Sequence, residues 1–317
     1  MPIAVIYKYF DDQGNYLAAT ITYYAFIAIF PLLLLASSIF GFILQGRPDL
    51  EAQVLNSALG QFPIIGDQLG RPEGLRGSTA GVVVGALAAV YGSLGVGQAS
   101  QNAMNVAWSV PRNSRPNPFL LRLKSLLLVI FAGTSVVAIS VVSALISTTE
   151  TFGVAFDGTI RWLVVALTVL VNTVVLTWLF RLAAARHHHV SRAAPGALAV
   201  ALMWQVLQWS GAFYATRVLS GTSTMNQTFG LVLGLIGIIY IAAVMAVLGI
   251  EINVVTGRRL WPRALLTPFT DHVDLTEADR RAYTGYAEAM RHKGFERVEV
   301  SFHDDADEPD ASGPPPY

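Results

Sequence analysis

Near the end of an apolar run from Phe229 to Val255 stands one carboxylate, in the stretch Gly249-Ile250-Glu251-Ile252-Asn253. It is the only charged residue of that run. A charge placed in hydrocarbon costs at least ~2.5–3.5 kcal/mol on insertion scales, so this acid must be partnered, solvated or functional. If the hydrocarbon core begins at Phe229, about 20 helical residues end it at Leu248 and leave Glu251 near an interface. Two roles stay open there: a residue guarding the inner mouth of a cavity, or half of an ion pair with a cation such as Arg258 or a residue of the second or fourth connection between spans. Gly249 thins the helix beside the carboxylate, which lets another helix or a ligand approach.

Other polar residues in apolar surroundings extend the list of candidates for a substrate pathway. Gln98, Gln101, Asn102 and Asn105 recur at three- and four-residue spacing and share one helix face. That face either lines a polar cavity or emerges into the headgroups. Gln205 and Gln208, three apart, lie mid-run, as does Asn172. Each amide alone has a structural alternative, a bond to a neighbouring helix worth ~0.6 kcal/mol on average. Tyr23 and Tyr24 face the bundle or sit in an interfacial belt, and their directions differ by about 100° because they are adjacent on a helix of ~3.6 residues per turn. Asn253 completes the candidate set beside Glu251. Gly81, Gly85, Gly230, Gly234, Gly237 and Gly249 are expected at close helix contacts. His187-His188-His189 fans out along any helix and cannot share one ion well, so a basic collar is the better reading and no metal is expected. No cofactor is expected, and the absence of cysteine excludes thiolate chemistry and disulfides.

The elements that carry these residues are membrane helices. Hydrophobic residues make up 53% of the chain and charged residues 13%, about half the charge of an average soluble domain. Mean hydropathy is +0.51. Six segments reach the ~20 residues needed to cross hydrocarbon: 17–44, 79–108, 121–148, 160–182, 195–216 and 229–256. Proline at position 31 interrupts the first. Lys8, then Arg112, Arg115, Arg122 and Lys124, then Arg181, Arg186 and Arg192, then Arg258, Arg259 and Arg263 mark one side of the membrane as cytoplasmic. Both termini fall on that side. The expected fold is therefore an all-α, polytopic bundle of six transmembrane helices with cytoplasmic N and C termini. The first apolar segment is too long for a cleaved signal and is expected to stay as a span.

Three regions follow: a membrane domain over 1–265, a small cytoplasmic appendix over 266–302, and an acidic, proline-rich tail over 303–317. The longest outer connection, 45–78, carries apolar residues at helical spacing, which fits a surface-lying helix or a packed lid. In the appendix a helix is expected at 276–292, opened by Thr276 with Asp279 at capping-box spacing. The last four residues, Pro314-Pro315-Pro316-Tyr317, fit a Pro-Pro-x-Tyr ligand, but a disordered solvated tail is the better reading.

Several segments together resemble one family. Leu17-Ala18-Ala19-Thr20-Ile21-Thr22-Tyr23-Tyr24-Ala25, leading to Phe30-Pro31-Leu32-Leu33, is similar to the opening helix of the YihY/virulence factor BrkB family. The likeness continues at Asn105-Val106-Ala107-Trp108 with Pro111, Pro195-Gly196-Ala197 with Trp204-Gln205, Phe213-Tyr214, Phe229-Gly230 and Gly249-x-Glu251-x-Asn253. It spans residues 5–258. Phe229 stands where the family usually has tyrosine. The resemblance implies six membrane helices in a bacterial cytoplasmic (inner) membrane. It also brings an old ribonuclease label, which the residues oppose, since they hold no aqueous carboxylate cluster for Mg²⁺ and no soluble domain for RNA. Net charge is formally zero, which gives no case for nucleic acid. The expected function is a transporter or flippase-like permease, not an enzyme, with membrane lipids around it and a lipid or amphipathic substrate. The alternative is a scaffold recruiting partners through residues 271–317.

Overall fold

The computed structural model describes residues 1–43, 79–151, 158–185, 189–217, 224–264 and 274–302. The surface helix expected in 45–78, His187 and His188, and the tail over 303–317 lie outside the described residues. Among the described residues the regular structure is helical: α1 (Pro2–Asp11), α2 (Gly14–Ile43), α3 (Thr79–Ala107), α4 (Pro118–Thr151), α5 (Gly158–Ala183), α6 (Val190–Arg217), α7 (Thr224–Arg258) and α8 (Glu277–Ala289), with one 3₁₀ turn at Arg112–Ser114. The helix read at 276–292 runs from 277 to 289, and its Thr276–Asp279 capping box is formed in both directions.

The six long helices close a ring. Each packs against the next, from α2 to α3 and onward to α7, and α7 returns to α2. Among the described residues, four of them contain stretches long and apolar enough to cross a membrane: Pro118–Val136, Val165–Ala183, Val190–Ser210 and Val232–Arg258. Only 11% of the first two windows is buried within the protein. Leu120, Leu123, Leu163, Leu167, Leu202 and Leu233 instead point outward, each 48–65% exposed. So much outward-facing apolar surface fits hydrocarbon and not water.

Helix contacts are set by small residues. A Cβ on Gly92 would meet the Ala28 backbone at 2.8 Å, and one on Gly95 would strike the Tyr24 ring at 2.1 Å. Tyr24 therefore lies in a groove of α3, with Tyr91 edge-on to it, while Tyr23 is 58% exposed on the outside. The tightest crossing is α6 on α7, where a Cβ on Gly196 would sit 1.9 Å from the Gly249 carbonyl oxygen. Gly237 was expected at such a contact, but a Cβ there meets no described neighbour. Gly81 and Gly85 lie on α3, and Gly230 and Gly234 on α7.

Helices α3 and α7 end alike. Ser109 and Arg259 take positive φ, 47° and 54°. Val110 N–H donates back to the Asn105 carbonyl and Leu260 N–H to that of Val255, each at six-residue closure. Ser109 and Arg259 N–H groups close the inner bonds to Val106 and Thr256. These are Schellman caps formed without glycine. Since left-handed backbone costs a non-glycine residue about 1 kcal/mol, Arg259→Gly is expected to raise stability by about that amount in a denaturant titration.

Candidate functional site

Helix α1 is short and two-faced. Ala4, Val5, Lys8 and Tyr9 are buried, while Ile3, Ile6 and Phe10 are 50–62% exposed. Its inner face packs on α7. A two-residue turn, Asp12-Gln13, joins α1 to α2, with Tyr9 folded over Gly14 and its hydroxyl donating to Asn15 Oδ1 at 2.8 Å. Lys8 and Asp12, four apart, form a buried ion pair. This arrangement carries Lys8 Nζ to 3.8 Å from Glu251 Oε2, so the Asp12 and Glu251 carboxyls face the same ammonium.

Glu251 is fully buried, and no N–H or O–H of the described residues donates to either of its oxygens. The sequence suggested Arg258 or a connection residue as its ion partner; the structure places Lys8 there instead. Arg258 lies two turns further along α7, stacked on the Trp108 ring and donating to the Trp108 carbonyl.

The appendix closes over the cluster. Lys8 Nζ lies 4.9 Å from the centre of the Tyr286 ring, and the Tyr286 hydroxyl donates to Asp11 at 3.3 Å. Arg263, with only 2% of its side chain exposed, donates from Nε to Asp279 Oδ1 at 2.5 Å and lies 3.6 Å from Asp11. The first helix, the end of α7 and α8 thus converge through Lys8, Glu251, Arg263 and Tyr286. Burial and the Asp12 and Asp11 carboxylates push the Tyr286 phenol far above its usual range, so it stays a neutral donor.

Burial alone would raise the Asp279 carboxyl. The Thr276 hydroxyl, the Ala264 and Thr276 amides and Arg263 outweigh it and hold the group below its usual value. A depressed carboxyl contributes stability above its ordinary value of about 3.9, lost as pH falls towards the folded-state value. Docking of α8 is therefore expected to be unaffected at neutral pH and to fail only in acid. Asp279→Ala should mimic that loss at neutral pH by leaving the buried Arg263 with only its longer contact to Asp11. The check is limited proteolysis: residues 274–302 become cleavable while the long helices stay protected.

The other candidates divide. Gln101 is committed to α4, donating to Ser125 Oγ at 2.8 Å and the Leu121 carbonyl at 3.1 Å. Asn253 accepts from Gly196 N–H at 2.7 Å. That bond and the Gly196–Gly249 approach explain why Pro195-Gly196 and Gly249-x-Glu251-x-Asn253 occur together. Asn102 is exposed, and Arg115 donates to it at 3.4 Å. Asn105 is buried with its Oδ1 unpartnered among the described residues. Gln98, Asn172, Gln205 and Gln208 are half-buried. Helix rise puts Gln205 ~14 Å and Gln208 ~18 Å from the level of Gly196, so neither joins the Glu251 cluster. Among the described residues no group of His, Asp and Glu is arranged to hold a metal ion.

The site is built from the segments that carry the sequence resemblance, and the family model for Virulence factor BrkB matches residues 5–268. The chain belongs to the virulence factor BrkB family. The match takes in Lys8, Asp12, Glu251 and Arg263, so most of the cluster lies within the BrkB region, while α8 with Asp279 and Tyr286 lies beyond it. No curated protein and no solved structure matches the chain.

Proposed function

We propose that this BrkB-family membrane protein is a transporter or flippase-like permease for a lipid or another amphipathic substrate. Its six long helices cross a bacterial cytoplasmic membrane with both termini inside. The observation that carries the reading is Glu251: a fully buried carboxylate on a span, given no donor by the helices around it. Ionisable groups inside membranes that are not fully satisfied mark pathways more often than scaffolding. The cluster sits where α1 and α8 cover one end of the helix ring, which suits the closed inner mouth of a pathway. Asn105, also buried and unpartnered, is the second lining candidate. The half-buried Gln98, Asn172, Gln205 and Gln208 would lie deeper.

The apolar character of the spans favours a lipid over a strongly charged solute. The test is reconstitution of the full chain into vesicles with a fluorescent phospholipid. Movement between leaflets faster than in protein-free vesicles is expected; equal rates across headgroup classes in both preparations would overturn the reading.

One observation favours a second reading, a scaffold acting through the appendix. Beyond α8, Met290 and Phe295 are 69% and 88% exposed, which suits a partner site. Met290→Ser with Phe295→Ser leaves the Arg263 cluster intact. A scaffold predicts that this double variant loses function in cells; a permease predicts unchanged lipid movement in vesicles.

A further inference from the structure

The Glu251 cluster contains an imbalance of charge. One ammonium, Lys8, faces two buried carboxyls, Asp12 and Glu251. Around them α1 adds Tyr9 and Asp11, α2 adds Asn15, and α7 adds Tyr240. From α8 come Tyr286 and Asp279, and Arg263 precedes α8, already committed to Asp279 and Asp11. Among these described groups two cations, Lys8 and Arg263, meet four carboxyls, Asp11, Asp12, Glu251 and Asp279. Attraction between Lys8 and one carboxylate at 3.8 Å offsets the desolvation of about one ion, not of two.

The geometry of the two acids supplies the remedy. Two buried carboxyls that face one ammonium have only acceptors when both are ionised; a proton on one turns it into a donor, with the other acid as acceptor. It also brings Lys8, Asp12 and Glu251 to net zero. Two acids sharing a site retain one proton to a higher pH than either would alone. Burial, working against Lys8, likewise pushes the Asp12 carboxyl above its usual value.

We propose that Asp12 and Glu251 form a proton-binding site whose occupancy holds α1 against α7 and couples the permease to protonation. The ligand is one proton, shared in a carboxyl–carboxylate hydrogen bond. On release it passes to water at the cytoplasmic face and leaves one ammonium with two carboxylates. That net negative charge cannot stay dry, so α1, joined to α2 by a short turn, moves away and admits water. Coupling rests on the permease reading; the proton site itself does not.

The test is infrared difference spectroscopy of the full chain in phospholipid vesicles, titrated across the neutral range. Wild type is expected to show the carbonyl stretch of a buried protonated carboxyl that disappears as pH rises. Glu251→Gln and Asp12→Asn, which each keep the shape of the neutral pair, should both lack that band. A wild-type spectrum without the band, or one unchanged by both substitutions, overturns the site. The cysteine-free chain also allows spin labels at Phe10→Cys and Val190→Cys, both on exposed positions. Their separation should lengthen with the same titration in wild type and stay constant in Glu251→Gln; a pH-independent separation in wild type overturns the movement of α1. A titrating band with moving labels but no lipid movement would overturn the permease reading and leave the proton site standing.

Discussion

Lys8→Met is expected to destabilise the folded chain by ~3–5 kcal/mol, the range for removing one partner of a buried ion pair. Lys8 is the only cation facing Asp12 and Glu251 among the described residues, and all three side chains are almost wholly buried. Methionine fills similar volume, so the loss isolates charge. The remaining carboxyls must then both be protonated or draw water into the contact between α1 and α7. Neutralising the acids should restore most of the loss: Lys8→Met with Asp12→Asn and Glu251→Gln is expected within ~1–2 kcal/mol of wild type, because a buried polar set without ions needs no counter-charge. Denaturant titration in detergent, monitored by tryptophan fluorescence, checks the cycle. An equally unstable triple variant would show that Lys8 acts by packing against Tyr286 and not by charge.

The second large effect belongs to Gly196. A methyl group there would lie 1.9 Å from the Gly249 carbonyl oxygen, which is backbone and cannot turn aside. Overpacking typically costs about 1–3 kcal/mol, and Gly196→Ala should reach the upper end or pass it. It also disturbs the Gly196 N–H bond to Asn253, hence the placing of the turn that carries Glu251. Gly249→Ala should cost less, because its first obstacle is the Val200 side chain at 2.3 Å, with the Gly196 carbonyl at 3.0 Å. Thermal unfolding of the two variants tests the order. If Gly249→Ala proves the more harmful, the helices approach differently from this crossing.

Much of the architecture was legible because membrane helices announce themselves by long apolar runs, and the helices over 79–107, 158–183 and 224–258 fall close to where those runs lie. The capping box at Thr276 was readable because it depends on two residues three apart. Glu251 stood out for the same local reason: one charge in an apolar run. Its partner did not. Lys8 lies at the other end of the chain on a ten-residue helix, too short and too apolar on its outer face to stand out beside the spans. The docking of α8 through Arg263 and Tyr286 was hidden likewise, since no pattern in a polar appendix says which surface it covers. Spacing set the four amides of α3 along one stretch of the helix. Spacing could not say that Gln101 would turn to Ser125 on α4 and Asn102 to solvent. The pairing of Gly196 with Gly249 needed two backbones side by side, which only the fold supplies.

Whether Glu251 is a gate or a structural ion pair is decided by lipid movement per folded molecule in Glu251→Gln. Glutamine keeps the shape of the protonated acid and leaves Lys8 paired with Asp12. A gate that works by losing a proton predicts that movement falls at least about tenfold while the unfolding midpoint stays the same or rises. Undiminished movement with a lowered midpoint would contradict the gate and make Glu251 part of the framework.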